Sequence, residues 1–208
     1  VAVKDLQEAE LNYKKVFGIE PVWRGQHKEL GTANSIFNFN NTYLELLAAK
    51  GKGLGASLVE SAIEEKGDGL IGIVLGTKDI NQVSKRLTKM GYSVAEISDG
   101  EGTENDSKLT RKWKNLFLTP ELTRGIFSFI IEHTHGQLPT IKEFPEDTIN
   151  KLDHVVINTN DADGFINIYK DVFDIRLALD RVIEHWKRRM LFFRVNKTTI
   201  EVIEEKNE

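Results

Sequence analysis

Apolar residues follow two spacings along this chain, one typical of an amphipathic helix and one typical of a half-buried strand. Across residues 6–17 they fall on one helical face, with Asp5 placed to cap the helix and Gly18 placed to end it. In residues 35–39 and 43–47 apolar and polar positions alternate, which predicts two paired strands. The pattern predicts a strand, a helix and three further strands, which is a βαβββ module.

The same pattern returns at a constant offset of 156 residues. Residues 13–19, YKKVFGI, recur as residues 169–175, YKDVFDI, and the same offset pairs Glu45 with Glu201. A self-match of this kind indicates one supersecondary unit that is used more than once. The counterpart of His154 falls before the first residue of the sequence, so we expect the first copy to lack the start of its first strand.

A unit of the same kind lies between the two copies. Residues 70–75 are typical of a strand, and Asp79 is placed to cap an amphipathic helix. Residues 112–118 and 125–132 are typical of the closing strands. Residues 98–110 are polar and contain glycine, which predicts a mobile loop.

The modules predict an α+β protein with two domains. Residues 1–136 are expected to hold two βαβββ modules, the first with a truncated first strand. Residues 137–151, which contain Pro139 and Pro145, are expected to form a linker. Residues 152–208 are expected to form a third module, half of a second domain.

Composition narrows the classes of function. A net charge of -4 and a pI of about 5.8 argue against a nucleic-acid surface, which needs a basic patch. The sequence has no cysteine, which excludes disulfides and thiol nucleophiles and fits a cytoplasmic protein. No apolar run approaches the roughly 20 residues that span a bilayer, so we expect no membrane partner.

Two sets of motifs resemble a known superfamily. Residues 152–157, LDHVVI, and the strand 198–201, TTIE, resemble the vicinal-oxygen-chelate superfamily, which includes glyoxalase I, extradiol dioxygenases and bleomycin-resistance proteins. Residues 27–34, HKELGTAN, followed by residues 43–46, YLEL, resemble the pattern of the glyoxalase-like domain family. The resemblance implies paired βαβββ modules that form U-shaped mixed sheets, with a metal or ligand in the hollow.

The resemblance also implies metal ligands at a His or Gln on the first strand of a module and at a Glu on its last strand. His154 and Glu201 fit these positions in the third module. Imidazole and carboxylate suit Zn, Ni, Fe or Mn, and open coordination positions admit substrate oxygens. Such a site needs more ligands, which a fourth module would supply. The alternative is a surface histidine and an ordinary strand glutamate.

The first two modules carry fewer of these residues. Glu45 lies between two leucines, so alternation places it in the hollow, and we expect Glu132 at the matching place of the second module. Both are candidate catalytic residues, with rim carboxylates facing water as the alternative. Gly72 stands where His154 stands in the third module, which argues against a standard metal centre here. We interpret His133 as a linker residue.

Polar residues of the first module are candidates for ligand binding. Strand alternation places Asn34 and Asn38 in the hollow, and His27 and Tyr43 belong to the same motif. Turn chemistry is the alternative explanation for the segment that leads to Asn34.

Two functions follow from the resemblance and the residues. One is a divalent-metal-dependent lyase or dioxygenase acting on a small oxygenated substrate. The other is a metal-free protein that binds or sequesters a small molecule, as bleomycin-resistance proteins do. Exposed sheet edges of the third module predict a homodimer or pairing with a missing module.

Overall fold

A computed structural model describes residues 1–205 of the chain. These residues form two compact units. Unit 1 comprises Val1–Phe39 and Tyr43–Asn150, and unit 2 comprises Asn40–Thr42 and the described residues from Lys151 onward. No helix within residues 1–205 has the length and apolar character to cross a membrane.

The secondary structure alternates helices with groups of strands. The helices are α1 (Leu6–Phe17), α2 (Leu54–Lys66), α3 (Ile80–Lys89), α4 (Pro120–Thr123) and α5 (Ala162–Phe165), which continues as a π-helical segment (Ile166–Val172). The strands are β1 (Trp23–His27), β2 (Thr32–Asn38), β3 (Tyr43–Ala49), β4 (Gly72–Gly76), β5 (Ser98–Glu104), β6 (Thr110–Phe117), β7 (Phe127–His135), β8 (His154–Thr159), β9 (Arg176–Ile183), β10 (Arg188–Val195) and β11 (Thr198–Glu205). A 3₁₀ turn (Glu184–Trp186) follows β9.

Helix α1 begins and ends where the sequence predicts. The Asp5 carboxylate accepts hydrogen bonds from two backbone N–H groups of the first turn, at 2.9 and 3.0 Å. Gly18 ends the helix with a positive φ of 72°, a conformation that glycine adopts without strain. Phe17 is buried and packs edge-on against Phe37, with ring centroids 5.3 Å apart, which holds α1 on the sheet.

Unit 1 is built on a seven-stranded mixed sheet in the order β3-β2-β1-β5-β6-β7-β4. β4 runs parallel to β7, and the other neighbours are antiparallel. Ala2 forms a parallel bridge with Leu47, so the stretch before α1 lies where the first strand of the module belongs. The pairing of β1 with β5 joins two βαβββ modules edge to edge, which confirms the predicted fold class.

The core of unit 1 lies between the helices and one face of this sheet. Phe37, Leu46, Leu116 and Ile130 face α1 and α3 and are at most 3% exposed. Burial of such side chains contributes roughly 1.5–3 kcal/mol each. We call the opposite face, which carries Trp23, Asn34, Glu45, Arg111 and Phe129, the inner face.

Residues 98–110 do not form the predicted loop, because most of them belong to β5 and the start of β6. The glycines that suggested mobility make room for an aromatic ring. A Cβ at Gly100 would clash with the indole nitrogen of Trp113, and a Cβ at Gly102 would lie 3.1 Å from the same ring. The glycines therefore mark a close approach within a sheet.

Unit 2 contains a four-stranded sheet in the order β8-β11-β10-β9, with β8 parallel to β11. The offset of 156 residues relates β1, β2 and β3 to β9, β10 and β11, and α1 to α5 with its π-helical continuation. Phe165 stands at the position of Ala9 and is 1% exposed. It packs edge-on against Tyr169, with ring centroids 5.4 Å apart.

Candidate functional site

A chain of hydrogen bonds crosses the inner face of unit 1. Asn34 Nδ2 donates to Glu45 Oε1 at 2.6 Å and lies 3.5 Å from His27 Nε2. His27 Nδ1 lies 2.9 Å from Thr32 Oγ1. Because a carboxylate only accepts hydrogen bonds, the amide nitrogen of Asn34 must face Glu45. His27 Nε2 then accepts from Asn34, and its Nδ1–H donates to Thr32.

Burial keeps two titratable groups of this cluster neutral. His27 is 8% exposed, and burial lowers its pKa, an effect that Glu45 opposes and Arg111 reinforces. Burial also raises the pKa of Tyr43 to about 12, and the charge of Glu45 adds to this rise while Arg111 opposes it. The cluster therefore combines one carboxylate and one guanidinium with neutral polar groups.

Two tryptophans flank the cluster. The ring of Trp113 meets His27 edge-on, with centroids 5.5 Å apart. The guanidinium carbon of Arg111 lies 5.2 Å from the ring centroid of Trp23, a cation–π contact. Gly25 follows Trp23 by two residues on the same face of β1. It has no room for a side chain, because a Cβ there would clash with the indole of Trp23.

Glu132 does not lie at the place that the sequence suggested. Its Oε2 accepts a hydrogen bond from the backbone N–H of Ile80, the first residue of α3, at 2.8 Å. Glu204 makes the same contact with the N–H of Ala162 at the start of α5. The strand pairing supports this equivalence. The pairing of β4 with β7 matches that of β8 with β11, and it aligns Glu132 with Glu204. Glu132 therefore caps a helix on the face opposite the cluster.

The counterpart of Glu45 and Glu201 in the second module is Phe129. β4 and β7 pair Gly72 with Phe127, as β8 and β11 pair His154 with Thr199, which places Phe129 two residues further along the strand. A Cβ at Gly72 would clash with the carbonyl oxygen of Phe127, so the site has no room for a histidine. This module presents phenylalanine rings where the third module presents Glu201.

Asn38 is not joined to the cluster. Its Nδ2 donates to the carbonyl oxygen of Pro139 at 2.8 Å, which fastens the segment after β7 to β2. Of the predicted ligand-binding residues, the structure brings together His27, Asn34 and Tyr43 around Glu45.

Unit 2 places its two predicted metal ligands side by side. His154 Nε2 and Glu201 Oε2 are 4.0 Å apart on neighbouring parallel strands. His154 Nδ1 also lies 3.1 Å from Asp153 Oδ2. The side chain of His154 is 49% exposed and that of Glu201 is 13% exposed.

Sequence models of protein families assign the chain. The model described as glyoxalase-like domain matches residues 1–173. The chain belongs to the glyoxalase-like domain family. The model described as glyoxalase/bleomycin resistance protein/dioxygenase superfamily matches residues 151–208. The resemblance inferred from the motifs is thereby confirmed.

Two solved structures share the fold of this glyoxalase-like protein, and a third is more distantly similar. A hypothetical protein from Staphylococcus aureus is 16% identical with a TM-score of 0.64, over 88% of this chain and 76% of its own. A mutant of 4-hydroxymandelate synthase from Streptomyces coelicolor is 16% identical with a TM-score of 0.63, over 98% of this chain and 60% of its own. Methylmalonyl-CoA epimerase from Streptomyces coelicolor is 19% identical with a TM-score of 0.49, over 62% of this chain and 90% of its own. No curated protein matches the chain.

Superfamily members commonly use divalent metals, so we asked whether the residues of this glyoxalase-like protein fit one. In unit 1, Glu45 occupies a ligand position, but Gly72 and Phe129 occupy two others and offer no donor atom. Within residues 1–205, no three His, Asp or Glu side chains converge as a metal site requires. The described residues of unit 1 do not fit a metal centre of the implied type.

Three residues of this face are not among the site residues predicted from the sequence, namely Arg111, Trp113 and His133. Arg111 and Trp113 lie on β6, next to the stretch that was interpreted as a loop. His133 lies on β7 rather than in a linker, with its Nδ1 3.5 Å from Arg111 Nη2. The signal that identifies them is alternation, because Arg111, Trp113, Asn115 and Phe117 project from one face of β6.

Proposed function

We propose that unit 1 binds a small organic molecule on the inner face of its sheet, with Asn34 and Glu45 as polar anchors and no metal ion between them. The observation that carries this proposal is the amide oxygen of Asn34. It is buried and has no hydrogen-bond partner among the described residues, although the amide nitrogen is fixed by Glu45. A buried acceptor without a partner costs about 1–3 kcal/mol, which a ligand donor would recover.

A cluster of phenylalanine side chains in the second module favours a ligand with an apolar body. Phe117, Phe127 and Phe129 form a cluster on the inner face, with Phe129 centred 5.2 Å from Phe117 and 5.9 Å from Phe127. Phe117 is 41% exposed. Small-molecule sites are mostly apolar with a few directed polar groups, and the inner face has this composition.

Glu45 is the residue of the cluster that is able to take a proton from a bound ligand. His27 is neutral, and its Nε2 lies toward the amide of Asn34. An enzyme built on this site would use Glu45 as a general base, whereas a binding protein would use it as a hydrogen-bond acceptor. Both roles require the Asn34–Glu45 hydrogen bond to hold the carboxylate.

The test is a ligand screen by thermal shift in the presence of a chelator. We expect hits to raise the Tm of the chelated protein, because a ligand that binds only the folded state stabilises it. Asn34→Ala and Glu45→Gln should raise the Kd of these hits at least about tenfold, or about 1.4 kcal/mol. Glu64→Gln, on the exposed side of α2, serves as the control and should leave Kd unchanged. The same screen is repeated without the chelator. Ligands that raise the Tm only in its absence would contradict metal-free binding.

A second candidate function is a metal site on unit 2, favoured by the 4.0 Å separation of His154 Nε2 and Glu201 Oε2. Two protein ligands hold a divalent ion weakly, so further ligands would have to come from outside residues 1–205. Element analysis of protein purified without chelator tests this candidate. Zn, Ni, Fe or Mn that is lost in both His154→Ala and Glu201→Ala would support it. Metal content unchanged in these variants would refute it.

We also propose that unit 2 pairs with a second copy of itself through β9. By the offset of 156 residues, β9 is the counterpart of β1, whose edge joins the two modules of unit 1. Within residues 1–205, β9 pairs with β10 alone. Leu179 on β9 is 46% exposed, an apolar side chain that pairing along this edge would cover.

A further inference from the structure

The strongest unexplained group in unit 1 is the buried guanidinium of Arg111. Arg111 is 5% exposed and lies on the inner face, on the same side of β6 as Trp113. Arginine is seldom buried without a charged partner, because removing its charge from water costs several kcal/mol.

No carboxylate among residues 1–205 lies within 4.0 Å of the Arg111 guanidinium. Its Nη2 is 3.5 Å from His133 Nδ1, and its Nε has no hydrogen-bond partner. Two more exposed arginines do have carboxylate partners: Arg24 lies 2.7 Å from Glu10, and Arg189 lies 2.8 Å from each of two aspartates. In the described part of the chain, Arg111, which is buried, therefore lacks the direct counter-charge that these two more exposed arginines have.

Nearby groups do not replace the missing anion. Glu45 acts on Arg111 only at a distance, and its Oε1 is engaged by Asn34 at 2.6 Å. Burial lowers the pKa of Arg111 more than Tyr43 and Glu45 raise it. Arg111 in turn contributes to the lowered pKa of His133, after burial. The effect of burial on Arg111 thus outweighs the opposing effects of its polar and charged neighbours.

We propose that the ligand bound on the inner face of unit 1 carries a carboxylate that pairs with Arg111; this rests on the proposed function of that face. One guanidinium balances one negative charge, and its planar fork matches the two oxygens of a carboxylate. A doubly charged phosphate would leave one charge uncompensated near Glu45. Trp23 and Trp113 flank the site, so the expected ligand class is a small organic acid with an apolar or aromatic body.

A matched panel of probes tests the charge preference. Each of a set of small arylcarboxylates, among them 3-phenylpropanoate, is compared with its own alcohol and its own amine. Binding is followed by tryptophan fluorescence in a Trp186→Phe background, which leaves Trp23 and Trp113 as the reporters. We expect the carboxylates to bind at least about tenfold more tightly than the alcohols and amines.

Two variants of Arg111 and one control variant test whether the preference for carboxylates depends on Arg111. Arg111→Met should abolish the difference between acid and alcohol, and Arg111→Lys should keep part of it. Arg24→Met is the matched control, because Arg24 lies on the opposite face and is paired with Glu10. It should leave the preference intact.

The unliganded Arg111→Met protein provides an independent readout. Since it removes a buried charge that lacks a direct counter-ion, we expect its Tm to equal or exceed that of the native protein. A purely structural role through the contact with Trp23 predicts a lower Tm instead.

The outcomes separate this proposal from the one on which it rests. Probes that bind regardless of charge, or a preference that survives in Arg111→Met, would overturn the role of Arg111 and leave the binding face standing. A lower Tm in Arg111→Met together with unchanged probe binding would show a structural arginine. A panel in which no probe binds would overturn the carboxylate proposal, and the thermal-shift screen would then decide the proposed function by itself.

Discussion

A single buried histidine should make the stability of the protein depend on pH. Burial lowers the pKa of His27, so the unfolded chain takes up a proton at a pH where the folded chain does not. The free energy of unfolding should therefore fall as the pH drops below about 6.5, by at most about 1.4 kcal/mol per pH unit from this group. His27→Gln should reduce the slope of the profile, measured by urea unfolding between about pH 5 and pH 8, and should leave the contribution of His133, whose pKa burial also lowers.

The control for this prediction is His135→Gln, which removes an exposed histidine from β7. It should leave the slope of the profile as it is in the native protein. Equal slopes in the native and His27→Gln proteins would show that folding does not change the pKa of His27.

Among the site residues, those of one continuous motif were the ones that the sequence could predict. His27, Asn34, Tyr43 and Glu45 lie on three consecutive antiparallel strands, β1, β2 and β3, so alternation alone places them near one another. Arg111 is about seventy residues further along and reaches them only through the pairing of β1 with β5, which no local pattern reveals.

A glutamate on a closing strand stabilises the helix of its own module. Because Glu132 accepts the hydrogen bond of the Ile80 N–H, Glu132→Ala should lower the free energy of unfolding by about 1 kcal/mol. Ligand binding on the inner face should be unchanged, since the side chain lies on the opposite face. Urea unfolding and probe titration of the same samples measure the two effects.

Glu204→Ala is the matched variant in unit 2, where Glu204 binds the N–H of Ala162 in the same way. It should produce a loss of similar size. A Glu132→Ala protein of native stability with impaired ligand binding would return Glu132 to the candidate catalytic residues.

Glycine in β5 is required by the ring above it. Gly100→Ala should destabilise the protein by about 1–3 kcal/mol, because the added methyl group meets the indole of Trp113 and forces it to move. Gly76→Ala on β4 is the control, since a Cβ there meets no atom within 4 Å. Combining Gly100→Ala with Trp113→Phe should restore part of the loss. Equal stability of the Gly100→Ala and Gly76→Ala proteins would refute the packing argument.

Helices α1, α3 and α5 were predictable because each carries its own start signal, whereas α2 and α4 have no side-chain cap among the described residues. Asp5, Asp79 and Asp161 all accept backbone hydrogen bonds at helix N-termini, as the sequence indicates. Strand β5 was not predictable, because its polar and glycine-rich sequence has no strand pattern of its own. Its partners β1 and β6 impose the conformation, and the ring of Trp113 provides the packing.

At the scale of the whole molecule, repetition was the most reliable guide. The offset of 156 residues aligns β1, β2 and β3 of the first module with β9, β10 and β11 of the third, since the same fold requires the same succession of apolar faces. The equivalence failed for Glu132 because the second module carries its glutamate three residues further along the last strand than the position of Glu45. A conserved order of elements thus does not fix which side chain reaches the hollow.

Within the described ranges, strand β9 has an unpaired edge, and the oligomeric state of the protein tests whether a second copy pairs with it. Val182 is the counterpart of Gln26, which pairs with Thr103 on β5 where the two modules of unit 1 join. If a second copy pairs along the same edge, light scattering should give a mass that rises toward a dimer with protein concentration.

Val182→Pro should then remain monomeric at every concentration, because proline removes a backbone N–H and blocks strand pairing at that edge. Val182→Ala, which keeps the N–H, should still dimerise, and circular dichroism checks that both variants stay folded. A native protein that is monomeric throughout would refute pairing through β9. A dimer that persists in Val182→Pro would place the interface elsewhere. Proline disrupts an interface made by backbone hydrogen bonds between strands far more than one made by side-chain contacts.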